Sequence, residues 1–173
     1  DNLRMSPYTL RPARPDDLPA IVGLIRELAE FEHLSHLVSV TSQTLQPHLF
    51  GPRPAAEALV AVVNAQVVGF ALTFTNFSTF LGLPGLYLED LYVQPAHRGC
   101  GIGRAMLEHL AAVAVERGCG RFEWSVLDWN RHAIGFYEKM GATVLPDWRI
   151  CRVTGPALQE LGARAAGAAT ERS

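Results

Sequence analysis

A glycine-rich turn between an apolar strand and an amphipathic helix is the most constraining feature of this sequence. The strand is expected over 86–93, and the helix is expected to begin near Ile102. Three glycines alternate between residues 99 and 103, so the backbone there can pass close to a ligand without intervening side chains. Amide groups at a helix start lack intrahelical partners and lie at the positive end of the helix dipole. The unit therefore predicts a site for a phosphate or pyrophosphate, and the charge of Arg98 favours the same interpretation.

The spacing of the turn differs from that of two familiar phosphate-binding loops. A dinucleotide-binding turn has the pattern G-x-G-x-x-G, whereas here Arg104 follows the third glycine, which falls one position early. A nucleoside triphosphate loop needs Lys followed by Ser or Thr after its last glycine, and Arg104-Ala105 provides neither. A glycine-rich turn alone is equally compatible with a tight turn that binds nothing, so other motifs must decide.

The composition is that of an ordinary folded domain without a nucleic-acid or membrane partner. The chain has 173 residues, of which 49% are apolar and 18% charged, so a single domain can bury a sizeable core. Its net charge of −2 and the lack of a Lys/Arg-rich run argue against nucleic acid. No apolar stretch approaches the roughly 20 residues that a membrane helix needs.

The cysteines and histidines indicate a reduced, cytoplasmic setting without a metal. Cys100, Cys119 and Cys151 are odd in number and far apart, with neither a disulfide framework nor metal-ligand spacing. Cys100 lies inside the turn and is interpreted as a small side chain that fills a turn position rather than as a nucleophile. His33 and His36 lack a third ligand of suitable spacing, so no metal site is expected.

Both ends of the chain are expected to be less ordered than its middle. Asp1–Ser6 lacks the apolar stretch of a signal peptide, and these residues are expected to fray. The Ala/Gly-rich segment 162–173 is expected to be a disordered tail. The sequence therefore predicts a single domain over 1–161.

Hydrophobic periodicity predicts strands alternating with helices. The predicted strands are 8–11, 58–63, 67–74, 86–93, 121–127, 143–145 and 148–154. The predicted helices are 15–32, 42–49, 102–117, 131–140 and 156–161. A three-residue hairpin connection is expected at 64–66 and a loop over 75–85. The predicted hairpins lie in the N-terminal part of the chain and are followed by alternating helices and strands. This order favours a mixed α/β sheet of the α+β type over a doubly wound sheet.

Four stretches in this order resemble the GNAT superfamily of N-acetyltransferases. The first is Leu10–Ala13 with Asp16-Asp17, and the second is the strand Tyr87–Val93. The third is the pattern Arg98-x-x-Gly101-x-Gly103, which looks like the family's acyl-CoA pyrophosphate loop, and the fourth is Asn130–Ala142. More narrowly, Arg26–Glu32 and Leu88-Glu89-Asp90 look like the diamine (spermidine/spermine) N-acetyltransferase branch.

The resemblance implies a fold, a cofactor and an assembly. The fold is a mixed, mostly antiparallel central sheet of six to seven strands flanked by helices, with a splay between 86–93 and 121–127 that opens the cofactor slot. The cofactor is acetyl-CoA, and the diamine branch implies a homodimer. The positions that match cofactor contacts in the family are Leu91, Tyr92, Val93, Arg98, Gly99, Cys100, Gly101, Ile102, Gly103, Arg104, Asn130, Ala133 and Tyr137.

Acetyl transfer to an amine requires a base and an acid. An alkylammonium with a pKa near ~10 must lose a proton before it attacks, the oxyanion needs donors, and the leaving thiolate needs a proton. Strand alternation places Glu89 on the same face as Tyr87, Leu91 and Val93. Apolar neighbours raise the pKa of a carboxylate, which suits a base that acts through a water. A structural or substrate-orienting carboxylate remains the alternative for Glu89. Asp90 is expected on the other face, making structural hydrogen bonds.

Tyr137 is predicted to be the acid on the strength of the resemblance. Its place on an apolar helix stripe alone indicates a core residue, and its match to the family's Phe-Tyr signature favours protonation of the departing sulfur.

Phe31, Glu32 and Trp148, together with Glu89, are predicted to bind the acceptor. Acidic and aromatic groups suit a cationic amine, although an ordinary helix end and a surface aromatic are equally compatible with the pattern. The polyamine enzymes carry an acidic residue and a Trp before the central strand, whereas this chain has Ser78–Leu81. That difference favours a smaller amine or a basic amino acid over a long polycation.

The sequence thus predicts an acetyl-CoA-dependent N-acetyltransferase whose small-molecule amine, a diamine, polyamine or basic amino acid, attacks directly in a ternary complex. Two alternatives remain open. One is acetylation of a protein, peptide or antibiotic amine. The other is a non-catalytic acyl-CoA sensor, against which the presence of both Glu89 and Tyr137 argues.

Overall fold

A sheet in which the strands follow one another in sequence order forms the first of two structural units in this computed structural model. The structure describes residues 7–167; the first unit ends at Ser125, and the second begins at Val126. The first unit contains β1 Tyr8–Pro12, α1 Leu18–Phe31, α2 Ser42–Phe50, β2 Glu57–Val63, β3 Gln66–Ser78, β4 Leu83–Val93, α3 Ile102–Glu116 and β5 Arg121–Trp124. The second contains α4 Arg131–Lys139 and α5 Gly155–Ala163.

The sheet is mixed and mostly antiparallel. Strands β1 to β4 pair with their sequence neighbours in antiparallel fashion, and β5 pairs with β4 in parallel. The parallel pairing runs from Gly85 opposite Arg121 to Leu88 opposite Trp124. Residues 90–93 of β4 are therefore paired only with β3, within the part of the chain that the structure describes. This confirms the predicted fold class and the opening between the segments 86–93 and 121–127.

Helices cover both faces of the sheet. The adjacent residues Val60 and Ala61 are both fully buried, and side chains of adjacent strand residues point to opposite faces. On one face, Ile21 and Leu24 of α1 pack in a cluster with Phe70 and other buried residues. The buried stripe of α3 covers the other face and comprises Ile102, Met106, Leu107, Leu110 and Ala114. The sheet therefore lies between two apolar layers, as its nearly uninterrupted apolar strands require.

The helix predictions agree with the structure to within a few residues. A 3-10 turn over Pro15–Asp17 precedes α1, because the Asp17 carboxylate accepts a hydrogen bond from the Arg14 amide at 2.7 Å and pairs with the Arg11 guanidinium. At α4, Asn130 is the N-cap as predicted, and its Oδ1 accepts from the Ala133 amide at 3.2 Å.

Two connections differ from the predictions. The expected loop over 75–85 is instead the end of β3, a four-residue turn at 79–82 and the start of β4. Within this turn the Ser78 side chain accepts from the Leu81 amide at 3.2 Å. At the first hairpin, Asn64 and Ala65 alone form the connection, and both have positive φ (49° and 62°), as a type I′ turn requires.

The predicted final strand pair, 143–145 and 148–154, is wrong. Residues 126–167 contain no strand, and the residues from 143 to 154 are exposed. A strand needs a partner for its backbone groups, and a sequence pattern of alternating apolar residues cannot supply that partner. The total over residues 7–167 is thus five strands rather than six or seven.

The C-terminal segment is helical for longer than predicted. Helix α5 continues past Leu161 to Ala163, and a 3-10 turn covers Arg164–Gly167. Residues 168–173 of the predicted tail, and the predicted frayed residues 1–6, lie outside the described residues. Among the residues that are described, no helix is both long and apolar enough to cross a membrane.

Candidate active site

The glycine-rich turn joins β4 to α3 through a short 3-10 turn at Pro95–His97. Gly99 and Gly101 adopt positive φ values of 78° and 86°, a backbone conformation that glycine reaches without steric cost. A Cβ atom added at Gly99, Gly101 or Gly103 would meet no atom within 4 Å. The surface along the turn is therefore open, with space for a ligand against the backbone.

Six consecutive backbone amides in this turn are available to a ligand. The amides of residues 99–104 make no hydrogen bond to any described residue, and the first helical bond is donated by Ala105 to the Gly101 carbonyl at 2.9 Å. Helix α3 has 15 residues, and no side chain caps its N-terminus. Unpaired N–H groups and a helix dipole favour an anion at this position. The donor set and the open space fit the pyrophosphate of coenzyme A.

Contacts within the turn hold its backbone in place. The Arg98 Nε donates to the Val93 carbonyl at 2.8 Å, and the Cys100 thiol donates to the His97 carbonyl at 2.8 Å. The Arg98 guanidinium lies 5.3 Å from the Tyr92 ring centre and 5.5 Å from the Phe31 ring centre. The geometry of Cys100 agrees with its interpretation as a turn residue. The Arg98 side chain contacts β4 and the end of α1, so the charge that suggested a phosphate ligand has other partners.

A β-bulge in β4 changes which side chains share a face. Asp90 lies opposite Leu72 of β3, and Leu88 lies opposite the next residue, Thr73, so Glu89 has no partner across the pair. Tyr87 lies opposite Phe74, with ring centres 5.0 Å apart.

Counting from these pairs, Tyr87, Asp90 and Tyr92 share the face covered by α1, and Leu91 and Val93 lie on the other face. The prediction that Tyr87 shares a face with Leu91 and Val93 is wrong, because alternation fails at the inserted residue Glu89.

Asp90 lies on the face opposite Leu91 and Val93, as predicted, and it is a candidate site residue to which the sequence assigned only structural hydrogen bonds. Its carboxyl is half-buried and makes no hydrogen bond to a described residue, whereas Glu89 is exposed. Burial raises the pKa of Asp90 to about 6, and the charges of Glu89 and Glu32 act in the same direction. Burial likewise raises the pKa of Glu32, which follows the last residue of α1. A carboxylate kept ready to gain a proton beside other carboxylates suits a cationic ligand.

Tyr92 connects this acidic region to the core. It is buried in the cluster with Phe70, and desolvation and the charge of Glu27 raise the pKa of its phenol, while the nearby Arg98 opposes them. Gln94 donates to the Glu27 carboxylate at 3.1 Å. The end of α1 and the segment from Asp90 to Arg98 are thus one region of contacts, with several acids and one arginine.

The second unit carries the remaining predicted residues. Asn130 and Ala133 form the cap of α4, Tyr137 is half-buried with its ring 5.6 Å from that of Phe136, and Trp148 is 79% exposed. The roles predicted for these residues stay predictions.

A separate cavity of about 230 Å³ lies near the C-terminal end of α3, lined by residues 54–57, 73–75, Leu86 and Arg117. It contains none of the predicted site residues. We place the candidate site at the turn because the turn offers a row of unpaired donors. Among residues 7–167, no group of three or more His, Cys, Asp or Glu side chains is placed to hold a metal ion.

A mixed sheet whose fourth strand leads through a turn of unpaired amides into a helix is the arrangement expected of an acyl-CoA-dependent transferase of the α/β class. The acetyltransferase (GNAT) family profile matches residues 24–142. The chain belongs to this family. It is an N-acetyltransferase, and acetyl-CoA is its acetyl donor.

Known proteins similar to this chain include members of the diamine branch. It is 39% identical over 171 residues to thialysine N-epsilon-acetyltransferase of Mus musculus, which covers 92% of this chain and 100% of that protein. It is 34% identical over 158 residues to spermidine/spermine N(1)-acetyltransferase-like protein 1 of Homo sapiens, covering 86% of this chain and 23% of that protein. Among solved structures, an integron cassette protein of V. cholerae superimposes with a TM-score of 0.75 and 26% identity, covering 90% of this chain and 97% of that one. The predicted resemblance to the diamine branch is confirmed.

Proposed function

We propose that this enzyme transfers the acetyl group of acetyl-CoA to a primary amine of a small molecule, a diamine, polyamine or basic amino acid. The main observation in support of this proposal is the run of six unpaired amides at residues 99–104. They lie on the turn that follows β4, the strand that bears Glu89 and Asp90. Relatives named for thialysine and for spermidine or spermine support an amine acceptor of this class. Acetyl-CoA supplies an activated acetyl group as a thioester.

The acidic region at the end of α1 is the proposed amine site. Glu32, Glu89 and Asp90 lie close enough that the first two act on the pKa of the third. An ammonium group placed among them gains Coulomb attraction in a partly dehydrated environment. The turn at 79–82 carries no acidic side chain, so a second distant ammonium finds no partner there. We therefore favour a short diamine or a basic amino acid such as thialysine.

Carboxylates of β4 are the proposed route for the amine proton. Glu89 is the base predicted from sequence, acting through a water, and its exposed position gives water free access. Asp90 holds a proton more readily, because its pKa is raised to about 6. Tyr137 is the proposed acid for the departing sulfur, supported by its place in the Phe-Tyr signature. The Leu91–Val93 backbone and Asn130 remain proposed contacts of the pantetheine arm.

Thiol release from acetyl-CoA tests the proposal. Purified enzyme is assayed with thialysine, lysine, ornithine, 1,3-diaminopropane and spermidine, and the acetylated amine is identified by mass spectrometry. We expect turnover well above hydrolysis with at least one of these amines. Release no faster than hydrolysis with every amine, from enzyme that binds coenzyme A, would show that the acceptor class is wrong.

The two alternatives give different outcomes in the same assay. A peptide or antibiotic acetyltransferase would leave the small amines untouched and acetylate a lysine peptide or an aminoglycoside. A non-catalytic sensor would bind acetyl-CoA and transfer nothing to any acceptor. The acidic character of the region near Asp90 favours the small amine over both.

We also propose a cytoplasmic homodimer. All three cysteines, Cys100, Cys119 and Cys151, are free, as expected in a reducing compartment. Several large apolar side chains of the first unit are exposed around the β3–β4 turn, namely Phe77, Phe80, Leu81 and Leu83. Clustered exposed apolar groups are typical of a surface that another chain covers. A monomeric mass at micromolar concentration in light scattering would contradict the dimer.

A further inference from the structure

The Arg98 guanidinium lies against two aromatic rings from different elements. Its central carbon is 5.3 Å from the centre of the Tyr92 ring in β4 and 5.5 Å from the centre of the Phe31 ring in α1. Both distances are within the range of about 6 Å for cation–π attraction. Its Nε also donates to the Val93 carbonyl at 2.8 Å. One side chain thus joins β4, the end of α1 and the start of the cofactor turn.

The two rings differ in how far they are buried. Tyr92 is 6% exposed and belongs to the core cluster with Ile21 and Phe70, whereas Phe31 is 45% exposed at the last position of α1. Arg98 therefore joins a buried ring of β4 to a partly exposed ring at the end of α1.

The charge around Arg98 explains why a cation is stable there. The carboxylates of Glu27 and Glu30 both act on the neighbouring Tyr92 phenol, and Glu32 directly follows Phe31. A guanidinium in this acidic region gains Coulomb attraction in addition to its ring contacts. The Phe31 ring, which is predicted to contact the amine, thus also contacts the Arg98 guanidinium.

Arg98 also directly precedes residues 99–104, whose six backbone amides are unpaired. Its own amide donates to the Pro95 carbonyl at 3.3 Å, and the next six amides have no partner among the described residues. A ligand bound to these amides acts directly on the backbone next to Arg98. The guanidinium of Arg98 contacts Phe31, which directly precedes Glu32, and so connects the ligand to the end of α1.

We propose that Arg98 is a positioning residue that couples the acetyl-CoA site to the amine site through Phe31 and Tyr92. The inference rests on the proposed function in one respect, that the amine binds near Glu32 and Asp90. Ordering of the turn by coenzyme A fixes the end of α1 and so raises the affinity for the amine. By thermodynamic reciprocity, the amine raises the affinity for coenzyme A by the same factor, which is typically about 5-fold or more.

Calorimetric titration of coenzyme A with and without saturating thialysine measures this factor. We expect the Kd of coenzyme A for the unmodified enzyme to fall about 5-fold or more when thialysine is present. In Arg98→Ala and in Phe31→Leu the ratio should fall to near one. The double variant should show no further loss, because both substitutions break the same link. Arg98→Lys keeps the charge but not the fork of donors, and should retain only part of the coupling.

A matched variant separates coupling from a general loss of positive charge. Arg117, at the opposite end of α3, pairs with Glu57 at 2.8 Å and contacts neither ring. Arg117→Ala should leave the coupling factor unchanged. The proposal is overturned if the unmodified enzyme shows no coupling while it binds both ligands. It is also overturned if Arg98→Ala weakens coenzyme A binding with the factor intact, the result expected of a phosphate ligand. Failure of the proposed function would differ, since thialysine would then not bind at all.

Discussion

Tyr87 and Asp90 lie on the same face of β4 although three positions separate them in the sequence. Their partners on β3, Phe74 and Leu72, are two residues apart, as residues on one face of a regular strand must be. The extra residue in β4 is Glu89, which forms the bulge. Asp90 shares the face that α1 covers with Tyr92, two positions further on, and lies near Glu32. The bulge adds Tyr87 to this face, and Glu89 is exposed.

This arrangement explains the unusual protonation of Asp90. A strand residue on a covered face is desolvated, and desolvation is the largest cause of its raised pKa. Two like charges nearby raise it further. Without a cation between them, three carboxylates in one region repel one another, so the structure is better suited to an ammonium-bound state than to an empty one.

Replacing Asp90 with Asn should stabilise the protein at neutral pH and not at acidic pH. The pKa of Asp90 is about 6 in the folded protein against a usual value of 3.8, so the folded state binds the proton more tightly. The free energy of unfolding therefore decreases as the pH rises from about 4 to about 6. The pKa difference corresponds to at most about 3 kcal/mol, and water at the half-buried carboxyl reduces this, so we expect a gain of about 1–2 kcal/mol at pH 7.5.

Urea unfolding of Asp90→Asn at pH 4 and pH 7.5 measures this effect. Asp147→Asn, which removes an exposed carboxylate, is the matched control and should change the unfolding free energy little at either pH. An equal effect of Asp90→Asn at both pH values would contradict the burial of an ionised carboxylate.

The same substitution should weaken the amine site. An ionised Asp90 attracts the ammonium, so kcat/KM for the amine should rise as the pH passes through about 6 and the carboxyl loses its proton. In Asp90→Asn this acid limb should disappear and the KM for the amine should increase about tenfold, with the Kd of coenzyme A within about threefold of the original. An unchanged acid limb would assign it to another group, with Glu89 the first to be examined.

Gly101→Ala should weaken acetyl-CoA binding. Gly101 has φ of 86°, and an alanine there costs about 1 kcal/mol or shifts the turn, which displaces the amides of residues 99–104. We expect the Kd of coenzyme A to rise about tenfold or more. Gly118 has a similar φ of 72° but lies at the other end of α3, so Gly118→Ala should lower stability without changing this Kd. Equal effects of both variants on the Kd would mean that strain alone, and not the turn, is responsible.

The sequence predicts the site well where the signal is local. The spacing of the glycines marks the turn, and the apolar stripes of α1 and α3 mark the helices that support it, because each depends on residues within a few positions. The bulge at Glu89 and the resulting face of Tyr87 could not be predicted, since they depend on how β4 pairs with β3. The contacts of Arg98 likewise join Phe31 and Tyr92, which are 61 positions apart in the sequence. The strands wrongly predicted within 143–154 have the same cause, because an alternating pattern leads to a strand only where a partner strand can pair with it.

The first hairpin offers a direct test of backbone strain. Ala65 is exposed and has φ of 62°, a conformation that costs an L-residue about 1 kcal/mol relative to glycine. Because Asn-Gly suits a type I′ turn best, Ala65→Gly should raise the unfolding free energy by about 0.5–1 kcal/mol and leave kcat unchanged. Ala55→Gly, in a loop without positive φ, should instead be neutral or destabilising. Destabilisation by Ala65→Gly in thermal unfolding would contradict the turn geometry.

Tyr137→Phe should separate chemistry from binding. The substitution removes only the phenolic hydroxyl and keeps the ring against Phe136, 5.6 Å away, so α4 should fold as before. If the hydroxyl supplies the proton to the departing sulfur, its loss should lower kcat about 100-fold or more. The Kd of coenzyme A should stay within about threefold, because the proposed phosphate ligands are the unpaired amides of the turn. Tyr87→Phe is a matched control that removes a hydroxyl hydrogen-bonded to Ser125 at 2.8 Å and should lower kcat far less. A kcat for Tyr137→Phe equal to that of the control would exclude Tyr137 as the acid, and the thiolate would then have to take its proton from water.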